Sequence, residues 1–175
     1  MEFRYSPTAR ALHWATALAM LAQFILGGWI VWFTPEDEAF KFRLYDIHEN
    51  IGFTLLPLTV WRLFHRSRHK PAPLPEDLPA VMQLAAHANH LALYLGLFFM
   101  PLIGLCATTA WGFPFKYLGL VTLPTPFGKN EALGEVFSQL HFWGAVAMGL
   151  AILAHVGGAL FHAAVRKDGV MRRML

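Results

Sequence analysis

The chain has 175 residues, of which 56% are hydrophobic and only 14% charged, with nine histidines and a formal net charge of +3. This is more apolar than a soluble domain, with about half the usual charge, so one membrane domain over residues 1–175 is expected. A single cysteine, Cys106, excludes an internal disulfide, a zinc-finger set and a cysteine-ligated iron–sulfur cluster.

Four apolar runs follow in order. The first, Ala11 to Phe33, has 23 residues and no formal charge. It is longer than the roughly 7–15 residues of a signal-peptide core, and cleavage would discard His13, so it reads as a retained helix. The second, His48 to Phe64, is shorter and holds Glu49 near one end and Arg62 near the other. The stretch from His69 to Pro79, with Pro71, Pro73, Pro75 and Pro79, reads as a stiff extended linker. The third run spans about His87 to Trp111 and the fourth about Leu140 to Val165. Between them Gly112 to Gly134, rich in proline and glycine, is expected to fold over the outer face. A bilayer core of about 30 Å needs roughly 20 helical residues. Lipid also forces each span to satisfy its own backbone as a helix, with bends at Pro57 and Pro101 tolerated. The expected fold is an all-α integral membrane protein, a four-transmembrane-helix bundle without internal repeats.

Charge sets the orientation. Arg4 and Arg10, then Arg62, Arg66, Arg68 and Lys70, then Arg166, Lys167, Arg172 and Arg173 make ten of the 14 Lys and Arg. All lie on one side of the spans. Lys41, Arg43, Lys116 and Lys129 lie opposite, diluted by Glu36, Asp37, Glu38, Asp46, Glu131 and Glu135. The positive-inside rule puts both termini in the cytoplasm, and Trp29, Trp32 and Trp111 suit the outer interface. The pI near 9.2 does not point to nucleic acid, because the basic residues cluster at the ends of apolar runs.

The histidines carry the chemistry. His141 and His155 are 14 residues apart on the fourth helix, about 21 Å of rise and about 40° short of full turns, hence one face. His48 is level with His141, while His13 lies in the same half of the bundle as His155. Desolvating four rings in a bilayer is costly and points to function. Paired imidazoles on facing helices suit two stacked haems, one in each leaflet. His13 could pair with His162 almost as well by depth, but His141 and His162 are about 31 Å apart along the helix, which would drive the irons to opposite surfaces. Gly157 and Gly158 beside His155 leave room for a macrocycle. His87 or His90 remains open as an alternative ligand. His65 and His69, among Arg66, Arg68 and Lys70, read as hydrated interfacial residues. The spare rings His87, His90 and His162 lie near Trp14, where polar rings can hold a quinone head group and move protons.

Several segments together resemble a known family: RYSPTARALHW, DIHENIG, AHANHLALYLGLFFMPLIGL, LHFWGAVAMGLAILAH and RKDGVMRRML. In this order they resemble the bacterial cytochrome b561 family of di-haem membrane proteins, closest to its superoxide oxidase type. The same fold serves as the cytochrome b subunit of nickel-iron hydrogenases and formate dehydrogenases, so the fold does not fix the electron donor. The resemblance implies two b haems in a bacterial inner membrane, held by His13 and His155 on the cytoplasmic side and by His48 and His141 on the outer side. It implies electrons passing from superoxide to ubiquinone, with Trp14, His87 and His162 at the quinone end. Lys41, Arg43, Lys116 and Lys129 are the outer candidates for steering superoxide. Two other readings are an electron-transfer subunit for an unidentified protein partner and a haem or metal carrier without turnover.

Overall fold

The computed structural model describes residues 4–33, 36–70, 73–125 and 127–175; Pro71 of the linker lies outside the described residues. Four long helices dominate: α1 (Pro7–Trp32), α2 (Glu38–Arg68), α3 (Ala80–Ala110) and α4 (Glu131–Phe161). Each begins before its apolar stretch, and local capping rather than hydropathy starts α1, α2 and α4. Ser6 accepts from the Ala9 N–H at 3.2 Å, with Pro7 in the first turn of α1. Asp37 accepts from the Phe40 N–H and Asn130 from the Leu133 N–H, each at 3.1 Å, starting α2 and α4. The fourth helix therefore begins nine residues before Leu140. Pro57 and Pro101 lie inside α2 and α3, which continue across them.

By length and composition α1, α3 and α4 are long and apolar enough to cross a membrane. α2 is equally long but carries eight acidic and basic residues between Glu38 and Arg68, so it falls outside that group. Leu18, Leu21 and Ile25 of α1 and Leu150 and Leu153 of α4 are more than half exposed. In water such surfaces are unfavourable by about 25 cal/mol per Å²; against lipid the cost vanishes.

Consecutive helices pack as neighbours, α1 on α2, α2 on α3 and α3 on α4. The buried core is small and lies at the waist. Leu55, Leu97 and Met148 meet there, with Ala19, Met20, Leu58, Leu93 and Ile152 around them, so all four helices contribute. Gly96 makes the approach possible: a Cβ there would stand 2.5 Å from Met148 Sδ.

Two terminal structures were not foreseen. The third connection contains a two-stranded antiparallel ribbon, β1 (Lys116–Tyr117) and β2 (Val121–Thr122). It folds onto α2, where the Leu118 N–H donates to Asn50 Oδ1 at 2.6 Å and Tyr117 Oη lies 3.0 Å from Thr54 Oγ1. At the other end α4 passes through a π turn, His162–Arg166, into a tail ending in a short 3-10 turn. That tail returns to α1: the Tyr5 N–H donates to the Arg173 carbonyl at 3.0 Å, and Arg4 Nη2 donates to the Leu175 carbonyl at 2.7 Å. The linker expected to be extended instead makes a turn at Pro75–Leu78 and buries Leu78. The two poles of the bundle are called the hairpin end and the tail end below.

Candidate functional site

α4 supplies one ring to each of two sites. At the hairpin end His141 faces His48 of α2, ring centroids 6.1 Å apart. At the tail end His155 faces His13 of α1, again at 6.1 Å. Met148 of the waist lies seven residues from either α4 ring. Close backbone packing joins sequential helices, so each imidazole pair bridges a looser seam, α2–α4 or α1–α4.

That arrangement fits haem. A metal–imidazole bond of about 2.0–2.1 Å places two rings on opposite sides of one ion with centroids roughly 6 Å apart. Nδ1 of His48 and Nδ1 of His141 are buried without a hydrogen-bond partner among the described residues. The Met100 backbone lies close to the His141 ring. Glycines border both rings. A Cβ on Gly104 would lie 3.1 Å from His141 Cε1, and one on Gly27 3.4 Å from His48 Cε1. At the tail end a Cβ on Gly157 or Gly158 would meet nothing within 4 Å. Among the described residues no group of three or more His, Cys, Asp or Glu side chains is placed to hold a bare metal ion. Two imidazoles per site instead suit an ion whose other ligands belong to a macrocycle.

The surroundings of the two pairs differ. Beside His48, Glu49 accepts from Thr108 Oγ1 at 2.6 Å, and Gln23 Nε2 donates to the His48 carbonyl at 2.9 Å. Beside His13, Arg62 Nη2 lies 3.4 Å from Nδ1. His90 joins the tail-end pair, its ring 5.4 Å from that of His155. Arg62 and Gln23 gave little signal in sequence beyond being polar residues inside apolar runs, whereas His90 stood out as a spare ring and an alternative ligand.

The other expected site residues are scattered. Trp14 packs edge-on against His13 at 5.4 Å and donates through Nε1 to the Met174 carbonyl at 3.0 Å. His162 is not with His13: its Nδ1 lies 2.7 Å from Asp168 Oδ2. Burial opposes the Asp168 carboxylate, but hydrogen bonds from His162, the Val170 N–H and Arg166 outweigh it and hold its pKa below the ordinary carboxylate value. His87 is exposed, with Nδ1 2.7 Å from the Gln83 carbonyl. Trp14 and His162 thus share the tail as a partner, while His87 stands on α3. His65 and His69 stack with centroids 4.3 Å apart. At the hairpin end Lys129 pairs with Glu131 at 3.1 Å and Arg43 stands 6.0 Å from the Phe40 ring. Lys116 is exposed on β1 and Lys41 half-buried on α2.

The family described as Prokaryotic cytochrome b561 matches residues 4–175. This chain belongs to the prokaryotic cytochrome b561 family. It is 34% identical over 173 residues to cytochrome b561 homolog 2 of Escherichia coli (strain K12), covering 98% of this chain and 91% of that one. Cytochrome b561 homolog 1 of the same organism is 29% identical over 178 residues, covering 98% and 97%. As a b561-family protein the chain is a prokaryotic membrane cytochrome that binds b-type haem and transfers electrons.

Proposed function

We propose that this single-domain protein is a di-haem oxidoreductase of the bacterial inner membrane, with all four helices spanning and the tail end in the cytoplasm. It takes electrons from superoxide at the outer, hairpin end and delivers them to ubiquinone near the tail end. The observation that carries the reading is the pair of histidine couples, each at 6.1 Å, on two levels of one bundle. His48 and His141 hold one haem; His13 and His155 hold the other. When bound, the haems supply one-electron redox chemistry. In balance, two superoxide ions become two dioxygen molecules while one quinone gains two electrons and two protons.

The side chains then have separate tasks. Each imidazole pair would hold its haem and keep other small ligands away from it. Lys41, Arg43 and Lys116 raise the local concentration of a small anion; Lys129 contributes less because Glu131 neutralises it. Trp14, His87 and His162 stand at the quinone end; a bound head group would take the place of the Met174 carbonyl on the Trp14 N–H, and the imidazoles would relay its protons. A second reading, an electron-transfer subunit docking a redox protein, is favoured by the apolar ribbon, where Leu118, Leu120 and Val121 are exposed.

The test is a visible spectrum with a haem-to-protein ratio, followed by a superoxide pulse. Two haems per chain and prompt haem reduction are expected. If the haems stay oxidised while superoxide decays at the blank rate, the superoxide assignment is wrong. Rapid reduction by a co-purifying protein would then favour the second reading.

A further inference from the structure

At the tail end three arginines have no carboxylate to balance them among the described residues. Arg62 and Arg66, four residues apart on α2, share a face. Their guanidinium carbons lie 5.6 and 5.8 Å from the centroid of the Tyr94 ring on α3. Arg62 also reaches His13, its Nη2 3.4 Å from the ring Nδ1. Arg10 precedes His13 by three residues on α1 and so lies on the same face. Its Nε is buried without a hydrogen-bond partner among the described residues. None of these arginines enters an ion pair among the described residues; Asp77 and Asp168 are both taken by Arg166.

Guanidinium does not shed its proton to escape burial. A cation held at the edge of a lipid span is therefore retained where an anion meets it. Among the described residues none meets these arginines, so the anion that compensates the burial of Arg10 and Arg62 comes with a ligand. We propose that Arg10, Arg62 and Arg66 bind the two carboxylate side chains of the haem held between His13 and His155. This rests on the assignment of that pair as axial ligands. The planar fork of arginine matches a carboxylate with two parallel N–H donors. The phosphate of an anionic lipid offers similar chemistry, and the experiment separates the two sources.

The purified holoprotein in neutral detergent is mixed with excess apomyoglobin, and haem release is followed by its spectrum. Arg62→Gln and Arg66→Gln are compared with the native chain, each also loaded with haem dimethyl ester. One of the two haems is expected to leave about tenfold faster or more in either variant, the loss of charge-assisted hydrogen bonds. The ester is expected to speed release from the native chain and to add little in Arg62→Gln, since paired partners are not additive. Equal release from native and variant chains, or an ester effect undiminished by the substitution, overturns the proposal. So does a thermal midpoint raised by phosphatidylglycerol in the native chain only, with haem release unchanged; the lipid is then the anion. Should Arg62→Gln fail to assemble, Arg66→Gln, exposed near the helix end, carries the same comparison. His13→Ala separates the two layers of the argument. If it keeps both haems, the ligand assignment fails; if it loses one while the arginine variants release haem at the native rate, only the arginine assignment fails.

Discussion

Two histidine pairs with the same 6.1 Å spacing sit in opposite electrostatic settings. At the hairpin end a carboxylate, Glu49, follows His48 and is held by Thr108. At the tail end a guanidinium, Arg62, touches His13, and a third imidazole, His90, closes on His155. Ligand type alone would make two haems held by these pairs equivalent; charge would make them different. Negative charge favours the oxidised metal and positive charge the reduced one, so the tail-end haem should be the better electron acceptor. That gradient runs from the hairpin end toward the tail end.

The comparison breaks most sharply by removing a ligand. His48→Ala or His141→Ala should halve the haem content and leave the tail-end haem, and His13→Ala or His155→Ala should do the reverse. Redox titration of the single-haem proteins should give two different midpoints, the lower one from the haem at the hairpin end. Gly104→Val should remove the hairpin-end haem selectively, because a Cβ there already stands 3.1 Å from His141; the absorbance per protein reads this out. Glu49→Gln should sharpen the asymmetry's cause: the hairpin-end midpoint should rise on the order of 60 mV, a tenfold change in a one-electron equilibrium, with the other midpoint fixed.

The smallest effect lies outside the spans. Asp168, its side chain 16% exposed, has its pKa lowered chiefly by hydrogen bonds that overcome its burial. A depressed folded pKa means stability that is complete above the unfolded value and fades as pH falls through the folded one. Asp168→Asn should cost about 1 kcal/mol near neutral pH and flatten the acid limb of the thermal-melt profile.

The helices, their order and the possibility of pairing His141 with His48 and His155 with His13 were legible because rise and rotation per residue are fixed by the α-helix. Helix ends were not, since Asp37 and Asn130 cap beyond the apolar runs. His155 rather than His162 faces His13, while His162 meets Asp168, only six residues away but beyond the helix end. The tail's contact with Trp14 joins residues 160 apart, a distance at which periodicity carries no information. Arg62 announced itself only as a charge inside an apolar run; its contact with His13 required the fold.

The waist formed by Leu55, Leu97 and Met148 places hydrocarbon and a thioether between the two histidine levels. Tunnelling electrons pass such a barrier, whereas hydrated ions do not. Turnover with reductant on one side and proton uptake on the other would therefore leave a voltage across the bilayer, and the small seal around Met148 is what would prevent that voltage from short-circuiting through the protein.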